Sequence, residues 1–409
     1  MTPKRFMLIA GEASGDMLAA ELVRELRAGI DRRRTYTHDL QPLQADLAPR
    51  FFGAGGPCMA AAGVELAFDM TQHSVIGLSD VLKNYFKFKR LFDQLFKIAT
   101  EREPHVIICV DFSGFNRRFA AAIKQHVRAR RGTFNNWEPK IVQYISPQVW
   151  ASREERAYQI ARDFDLLLSI FPFEKQWYAA RVPRLRVEFV GHPMVDRHAS
   201  AERGVRSEEL SALENPLVLL LPGSRKRELE RHFPLMVEAF AKISRTLPAA
   251  RAVAVLPNER LATIARTILQ SAIRNPQSAI QIQIGGLFEA LAQAAVAISK
   301  TGTITMECAF FGVPAVTLYK VARWEYEIGK RMIKVKTLTM PNLLAKEQVF
   351  PEFIQHAATP ENISRAALEL LCDQPRREQV RARLDTIVAS LGGPGASRRA
   401  AEAILKIVP

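Results

Sequence analysis

The stretch Leu217-Val-Leu-Leu-Leu-Pro-Gly-Ser-Arg-Lys-Arg-Glu-Leu-Glu-Arg-His-Phe233 decides the fold class. Five apolar residues, Leu217 to Leu221, read as a strand buried on both faces, as in a parallel sheet. Pro222-Gly223-Ser224 breaks that strand, and Leu229, Phe233, Met236, Val237 and Phe240 follow at helical spacing. A helix that starts just after a glycine turn presents unpaired N–H groups and the positive end of its dipole. With the Ser224 hydroxyl and the forked donors of Arg225, that corner suits a phosphate or pyrophosphate. An ordinary strand-to-helix corner with a solvated basic residue fits the same pattern.

Working outward, the first half opens the same way. Phe6 to Ala10 is a short strand, Gly11-Glu12-Ala13-Ser14-Gly15-Asp16 a polar loop, and Asp16 a suitable N-cap for a helix carrying Leu18, Leu22, Val23 and Leu26. The loop lacks GxGxxG spacing, so a dinucleotide site is not supported. Residues 32–50 read as an extended loop, and Phe51 to Pro57 as a second strand with a glycine turn. His105 to Val110 is a further buried strand that delivers Asp111 to its carboxyl end, where open α/β sheets bind ligands. Asp111 is there a candidate general base, or simply a cap for the next turn. More strands are expected at 141–145, 165–170, 187–190, 252–256, 295–300 and 313–318. His192 lies in the shaped loop Val190-Gly-His-Pro193. Thr301, Gly302 and Thr303 suggest a second anion position, with Glu307 one turn on, toward a sugar hydroxyl. The polar run from Asp196 to Asn215 is the best linker.

At 409 residues the chain exceeds one ordinary core. The expected fold is α/β, two Rossmann-like lobes facing a central cleft, the GT-B layout. Residues 1–195 would form the acceptor-binding domain and 196–409 the nucleotide-sugar-binding domain, with a last helix able to cross back. Cys58, Cys109, Cys308 and Cys372 have no metal-ligand spacing and read as thiols in a reducing compartment. No apolar run reaches the roughly 18 residues of a bilayer span, and the N-terminus is unlike a signal peptide. A cytoplasmic location is expected. The net charge of +15 fits nucleic acid, an anionic membrane or a phosphorylated substrate. No aromatic-interleaved nucleic-acid motif accompanies it. Residues 75–98 mix aromatic and aliphatic side chains with Lys83, Lys87, Lys89, Arg90 and Lys97. That mixture suits an interfacial helix on an anionic membrane, or a helix packed on two sides in the core.

Eight motifs in register carry a specific resemblance. They are Gly11-Glu-Ala-Ser-Gly-Asp16, Val110-Asp-Phe-Ser-Gly-Phe-Asn116, Ser146-Pro-Gln-Val-Trp150, Phe171-Pro-Phe-Glu174, Val190-Gly-His-Pro193, Leu221-Pro-Gly-Ser-Arg225, Thr301-Gly-Thr303 with Glu307, and Pro341-Asn-Leu-Leu-Ala345. In that order the chain resembles the lipid-A-disaccharide synthase family. The resemblance implies an inverting transfer from UDP-2,3-diacylglucosamine to 2,3-diacylglucosamine 1-phosphate, giving lipid A disaccharide 1-phosphate and UDP. It implies Asp111 as base for the acceptor 6-hydroxyl and Arg225 as the group stabilising the diphosphate leaving group. Glu12, Ser14, Ser146, His192, Gly223, Ser224, Thr301, Gly302, Thr303, Glu307 and Asn342 fall in its substrate-binding motifs. It further implies no cofactor or metal, no nucleic acid, a possible homodimer, and a peripheral place on the inner face of the cytoplasmic membrane through residues 75–98. The chain departs from the family at Gly114, where a second aspartate is usual, and at Ser152, where a tryptophan is common. Other readings are a UDP-N-acetylglucosamine 2-epimerase, a muramyl-lipid glucosaminyltransferase, or a non-catalytic lipid- or nucleotide-binding relative.

Overall fold

The structure is a computed structural model that describes residues 3–36, 48–73, 85–132, 134–199, 215–272 and 280–408. Its chain divides into two compact units, Met1–Asp196 with Leu391–Pro409, and Arg197–Ser390. Each unit is a parallel sheet flanked by helices, so the two α/β halves anticipated from the sequence are present. Residues 200–214, most of the expected linker, lie outside the described residues, as do 75–84 of the basic-aromatic segment and 37–47 of the expected early loop.

In the first unit the strands are β1 (Arg5–Ala10), β2 (Arg50–Gly55), β3 (Glu65–Asp69), β4 (Val106–Val110), β5 (Lys140–Tyr144), β6 (Leu166–Ser169) and β7 (Arg186–Phe189), in spatial order 3-2-1-4-5-6-7. In the second they are β8 (Leu217–Leu221), β9 (Arg251–Leu256), β10 (Ile280–Ile284), β11 (Val296–Lys300), β12 (Ala315–Tyr319) and β13 (Glu352–Ile354), in order 10-9-8-11-12-13. The central strands are continuous apolar runs because helices cover both their faces. Every residue of β4 and of β8 is buried. β3, β10 and β13 were not anticipated. Ile280-Gln-Ile-Gln-Ile284 alternates, as an edge strand half open to water does, and its register on β9 runs Ile280↔Ala252 to Ile284↔Leu256.

Both sheets reverse direction of growth beside their first strand. β1 pairs with β4 from Phe6↔Val106 to Ala10↔Val110, and β8 pairs with β11 from Val296↔Val218 to Ser299↔Leu221. The loops that leave these four strands therefore emerge side by side at carboxyl ends, two in each unit. Such switch points are where open α/β sheets hold ligands.

Several expectations are corrected. The first helix runs Ala13–Tyr36, so residues 32–36 are helical rather than loop. Asp16 lies inside that helix and caps another one. Its carboxylate accepts from the Gly56, Cys58 and Met59 amides at 2.7, 2.9 and 3.0 Å, fixing the N-terminus of Pro57–Ala61. The helix Tyr85–Arg102 is divided by face. Phe88, Phe92 and Phe96 pack on the first unit's core around the fully buried Leu95, with Phe92 edge-on to Phe115 and Phe119. Phe86, by contrast, is 77% exposed beside the exposed Lys87, Lys89 and Arg90. The core-packed reading of this segment holds for its inward face. Among the described residues no helix is long and apolar enough to cross a membrane.

The closing helix Ala396–Leu405 belongs to the first unit and packs on Ala13–Tyr36, with Ala400, Ala403, Ile404 and Leu405 in one cluster with Phe6, Leu22 and Val142. Polar contacts fix the return. The His192 amide donates to the Leu391 carbonyl at 3.0 Å, Arg399 Nε to Val190 at 2.8 Å, and the Ala396 amide to Asp196 at 3.0 Å. Ile404→Ala should therefore destabilise the first unit by about 2–5 kcal/mol, the usual range for emptying a buried aliphatic site. Urea unfolding checks this, and an unchanged midpoint would show that the closing helix is not part of this core.

Candidate active site

At the β1–β4 switch point the chain builds an acidic site under backbone tension. Asp111 and Phe112 both adopt left-handed backbone, with φ of 47° and 41°, and neighbouring Ile145 has φ 68°. Such residues cost about 1–3 kcal/mol each and persist only where surroundings enforce them. The enforcement is visible. Gln143 Nε2 lies 3.0, 3.2 and 3.1 Å from the carbonyls of Asp111, Tyr144 and Ile145, and Asn116 Nδ2 donates to the Asp111 carbonyl at 2.8 Å. Both amides are wholly buried, and among the described residues Gln143 Oε1 and Asn116 Oδ1 have no hydrogen-bond partner. Their donors are committed to the strained turn at the expense of their acceptors.

The glycine loop approaches this turn closely. A Cβ on Gly11 would stand 2.4 Å from the Phe112 ring, so only glycine fits. Glu12 of this loop is near enough that its charge, after burial, helps hold the Asp111 carboxyl above the usual carboxylate range. Ser14 is exposed on the first turn of the helix Ala13–Tyr36 that follows this loop. The structure thus brings together Glu12 and Asp111.

At the β8–β11 switch point the second unit builds a basic site. Gly223 has φ 116°, and a Cβ there would lie 2.4 Å from Glu228 Oε2. Arg225 is the N-cap of Lys226–Thr246. His232, one per cent exposed, braces the turn. It accepts from the Lys320 amide at Nε2 (3.1 Å), which leaves the proton on Nδ1 to donate to the Pro222 carbonyl (3.2 Å). Burial depresses its basicity, so the neutral ring is the working form. Lys300 reaches this corner from the end of β11, with Nζ 3.1 Å from Glu228 Oε1. Gly223, Ser224, Arg225 and Gly302 converge here, since a Cβ on Gly302 would lie 3.1 Å from Lys300 Nζ.

Other expected contacts are redirected inward. Thr301 is buried and its hydroxyl lies 3.4 Å from the Leu318 carbonyl, so it serves the strand end rather than an open anion position. Thr303 is exposed at the start of Ile304–Phe310. Glu307 is mostly buried there, and desolvation raises its carboxyl to about 7. Asn342 has no capacity left for a ligand. Nδ2 donates to the Phe350 carbonyl and Glu352, and Oδ1 accepts from the Val349 and Phe350 amides, all at 2.8 Å. His192 is buried, takes the Met194 amide at Nδ1 and faces the Phe171 ring. It belongs to the joint that receives Leu391.

Ser146 is also buried, in a network the sequence did not disclose. Its Oγ lies 3.4 Å from Tyr178 OH, and Trp150 Nε1 donates to Glu174 Oε1 at 3.0 Å. Glu174 is wholly buried, and desolvation raises it from 4.5 to about 7. The folded state keeps a proton that the unfolded chain releases near 4.5, so this group lowers stability as pH rises from 4.5 through 7. Glu174→Gln should remove that decline, worth roughly 3 kcal/mol at 1.36 kcal/mol per pKa unit. Urea unfolding at pH 5 and pH 8 tests this. Equal slopes in variant and parent would count against a protonated Glu174.

Comparison with solved structures places the fold. UDP-GlcNAc 2-epimerase from Neisseria meningitidis bound to UDP-GlcNAc superposes with a TM-score of 0.60 at 10% identity, covering 98% of this chain and 100% of that one. MurG of Acinetobacter baumannii gives 0.53 at 13%, covering 99% and 100%. At such identities the likeness is one of fold, the two-unit α/β class of GT-B glycosyltransferases and epimerases. Sequence carries the assignment further. Residues 6–408 match the family model described as Lipid-A-disaccharide synthetase, and Lipid-A-disaccharide synthase of Trichlorobacter lovleyi is 35% identical over 410 residues, 99% of this chain and 98% of that one. The chain belongs to the lipid-A-disaccharide synthetase family, glycosyltransferases of lipid A biosynthesis.

Proposed function

We propose that the protein transfers diacylglucosamine from UDP-2,3-diacylglucosamine to 2,3-diacylglucosamine 1-phosphate, with inversion at the transferred anomeric carbon. The observation that carries this reading is the Asp111 carboxyl, delivered by β4 to a switch point, mostly buried, and held above the ordinary carboxylate range. A base of raised pKa beside a sheet's carboxyl edge suits removal of a proton from a sugar hydroxyl. Asp111 takes the acceptor 6-hydroxyl proton as that oxygen bonds to the anomeric carbon. The bond from this carbon to the diphosphate oxygen breaks, and UDP leaves with the electron pair. Arg225, with the Gly223-Ser224 amides, stabilises the charge gained by the leaving group. The first unit takes the acceptor and the second the nucleotide sugar, with Thr303 and Glu307 on the nucleotide side. An epimerase needs no acceptor, so UDP release that depends on the monosaccharide 1-phosphate separates the readings.

Asp111→Asn should lower turnover by about 100-fold or more with UDP affinity little changed. Near-normal turnover would remove the base assignment. Glu12→Gln deletes one of the two influences that raise Asp111. Because the base works deprotonated, the acid limb of the kcat profile should move to lower pH, and an unmoved limb would disconnect Glu12 from it.

The same reading places the enzyme peripherally on the cytoplasmic membrane face. The exposed Phe86 with Lys87, Lys89 and Arg90 supports a contact with anionic lipid. Phe86→Glu should weaken co-sedimentation with phosphatidylglycerol vesicles and leave the fold intact. Undiminished sedimentation of this variant would move the contact elsewhere.

A further inference from the structure

The basic corner of the second unit already holds an anion of its own. Glu228, on the first turn of Lys226–Thr246, has an 83% buried side chain that turns back onto the glycine loop. Its Oε2 accepts from the Ser224 amide at 3.2 Å, while Oε1 lies 3.1 Å from Lys300 Nζ and 3.4 Å from Arg225 Nη1. One carboxylate thus receives a loop N–H and two cations from different strand ends. That is the donor set a phosphoryl group requires.

The charge is unbalanced in favour of a second anion. Two cations share one oxygen, and Arg225 remains 47% exposed whereas Lys300 is only 19% exposed. A lysine so far withdrawn from water is held there by the anion it faces, here Glu228. Lys300 is also rigidly placed. The preceding strand β11 is locked to β8 by Ser299↔Leu221, so its ammonium is carried to the same height as the Pro222–Arg225 turn.

We infer that Lys300 is a second diphosphate-binding cation, and that Glu228 is a resident anion which keeps Lys300 and Arg225 converged until a nucleoside diphosphate displaces its carboxylate. The inference rests on the reading of this corner as the UDP seat and names the groups that recognise the diphosphate within it. On binding, the diphosphate oxygens take over the Ser224 amide and both cations, and the Glu228 carboxylate turns to water.

Calorimetric titration of the full chain with UDP and with uridine separates these roles. Lys300→Met should weaken UDP about 10- to 100-fold, the effect of losing one hydrogen bond to a charged group, and leave uridine affinity unchanged. Glu228→Gln, which retains an oxygen for the Ser224 amide but no charge, should bind UDP severalfold tighter. Wild-type UDP affinity in Lys300→Met, or equal losses for UDP and uridine, would overturn the assignment of Lys300. Weaker UDP binding by Glu228→Gln would overturn the resident-anion role. A wild-type protein that binds UDP no better than uridine would instead sink the UDP seat itself. Lys300→Gln serves as the second variant should the methionine fail to fold.

Discussion

Two strand pairings, β1 with β4 and β8 with β11, decide where chemistry is possible in this molecule. Each joins strands separated in sequence by other elements, and each leaves two loops at neighbouring carboxyl ends. Parallel pairing is specified by the continuous apolar runs Phe6 to Ala10, Val106 to Val110, Leu217 to Leu221 and Val296 to Ile298, all buried. A polar residue inside any of them would cost its desolvation without a partner. Polar residues therefore gather at the carboxyl ends of these strands, at Glu12, Asp111, Ser224-Arg225 and Ser299-Lys300. The reactive groups stand where burial ends, and their properties are set by how abruptly it ends.

The two switch points solve this differently. In the first unit, geometry is held by neutral amides. Gln143 and Asn116 spend their donors on a turn that includes two consecutive left-handed residues, and the carboxyl on that turn is left poorly solvated beside Glu12. The result is a carboxylate less stable than in water, hence more basic. In the second unit, geometry is held by charge. Glu228 gathers Arg225, Lys300 and the Ser224 amide, and the uncharged His232 ties the turn to the end of β12. One site destabilises a negative charge and the other attracts one, and the proposed transfer of a sugar from a diphosphate makes use of both.

Much of this was legible in the sequence, and the limits have physical causes. Long apolar runs gave the central strands to within a residue or two, since burial on both faces leaves no other composition. Edge strands β3 and β13 escaped because half-solvated, short segments carry little pattern. The glycine turns at Gly11 and Gly223 marked the two loops because no side chain fits there. What sequence could not disclose was the direction in which a polar side chain spends its hydrogen bonds. Asp16 looked like the cap of its own helix and caps Pro57–Ala61 instead. Asn342, Thr301 and Ser146 sit in the family's motifs, yet their polar atoms are occupied inside the protein. Gln143, Glu228 and Lys300 went unremarked because a lone amide or charge acquires meaning only from what the fold sets opposite it. Glu228, four residues after Ser224, was the nearest to a signal, since that spacing returns a helical side chain to its own N-terminus.

Gly114 shows how such meaning can be tested against packing. The family resemblance leads one to expect a second aspartate at this position, and the glycine found there invites a steric explanation. None is available. A Cβ on Gly114 would meet nothing within 4 Å, and its backbone is not in the left-handed region that favours glycine. The fold would accept a side chain there as readily as it accepts Ser113 beside it. Packing therefore does not impose glycine at this position. At this switch point Asp111 has Glu12 beside it, and Gln143 and Asn116 clamp the turn that carries it. The position of the Asp111 carboxyl therefore depends on the backbone that carries it, which those two amides hold.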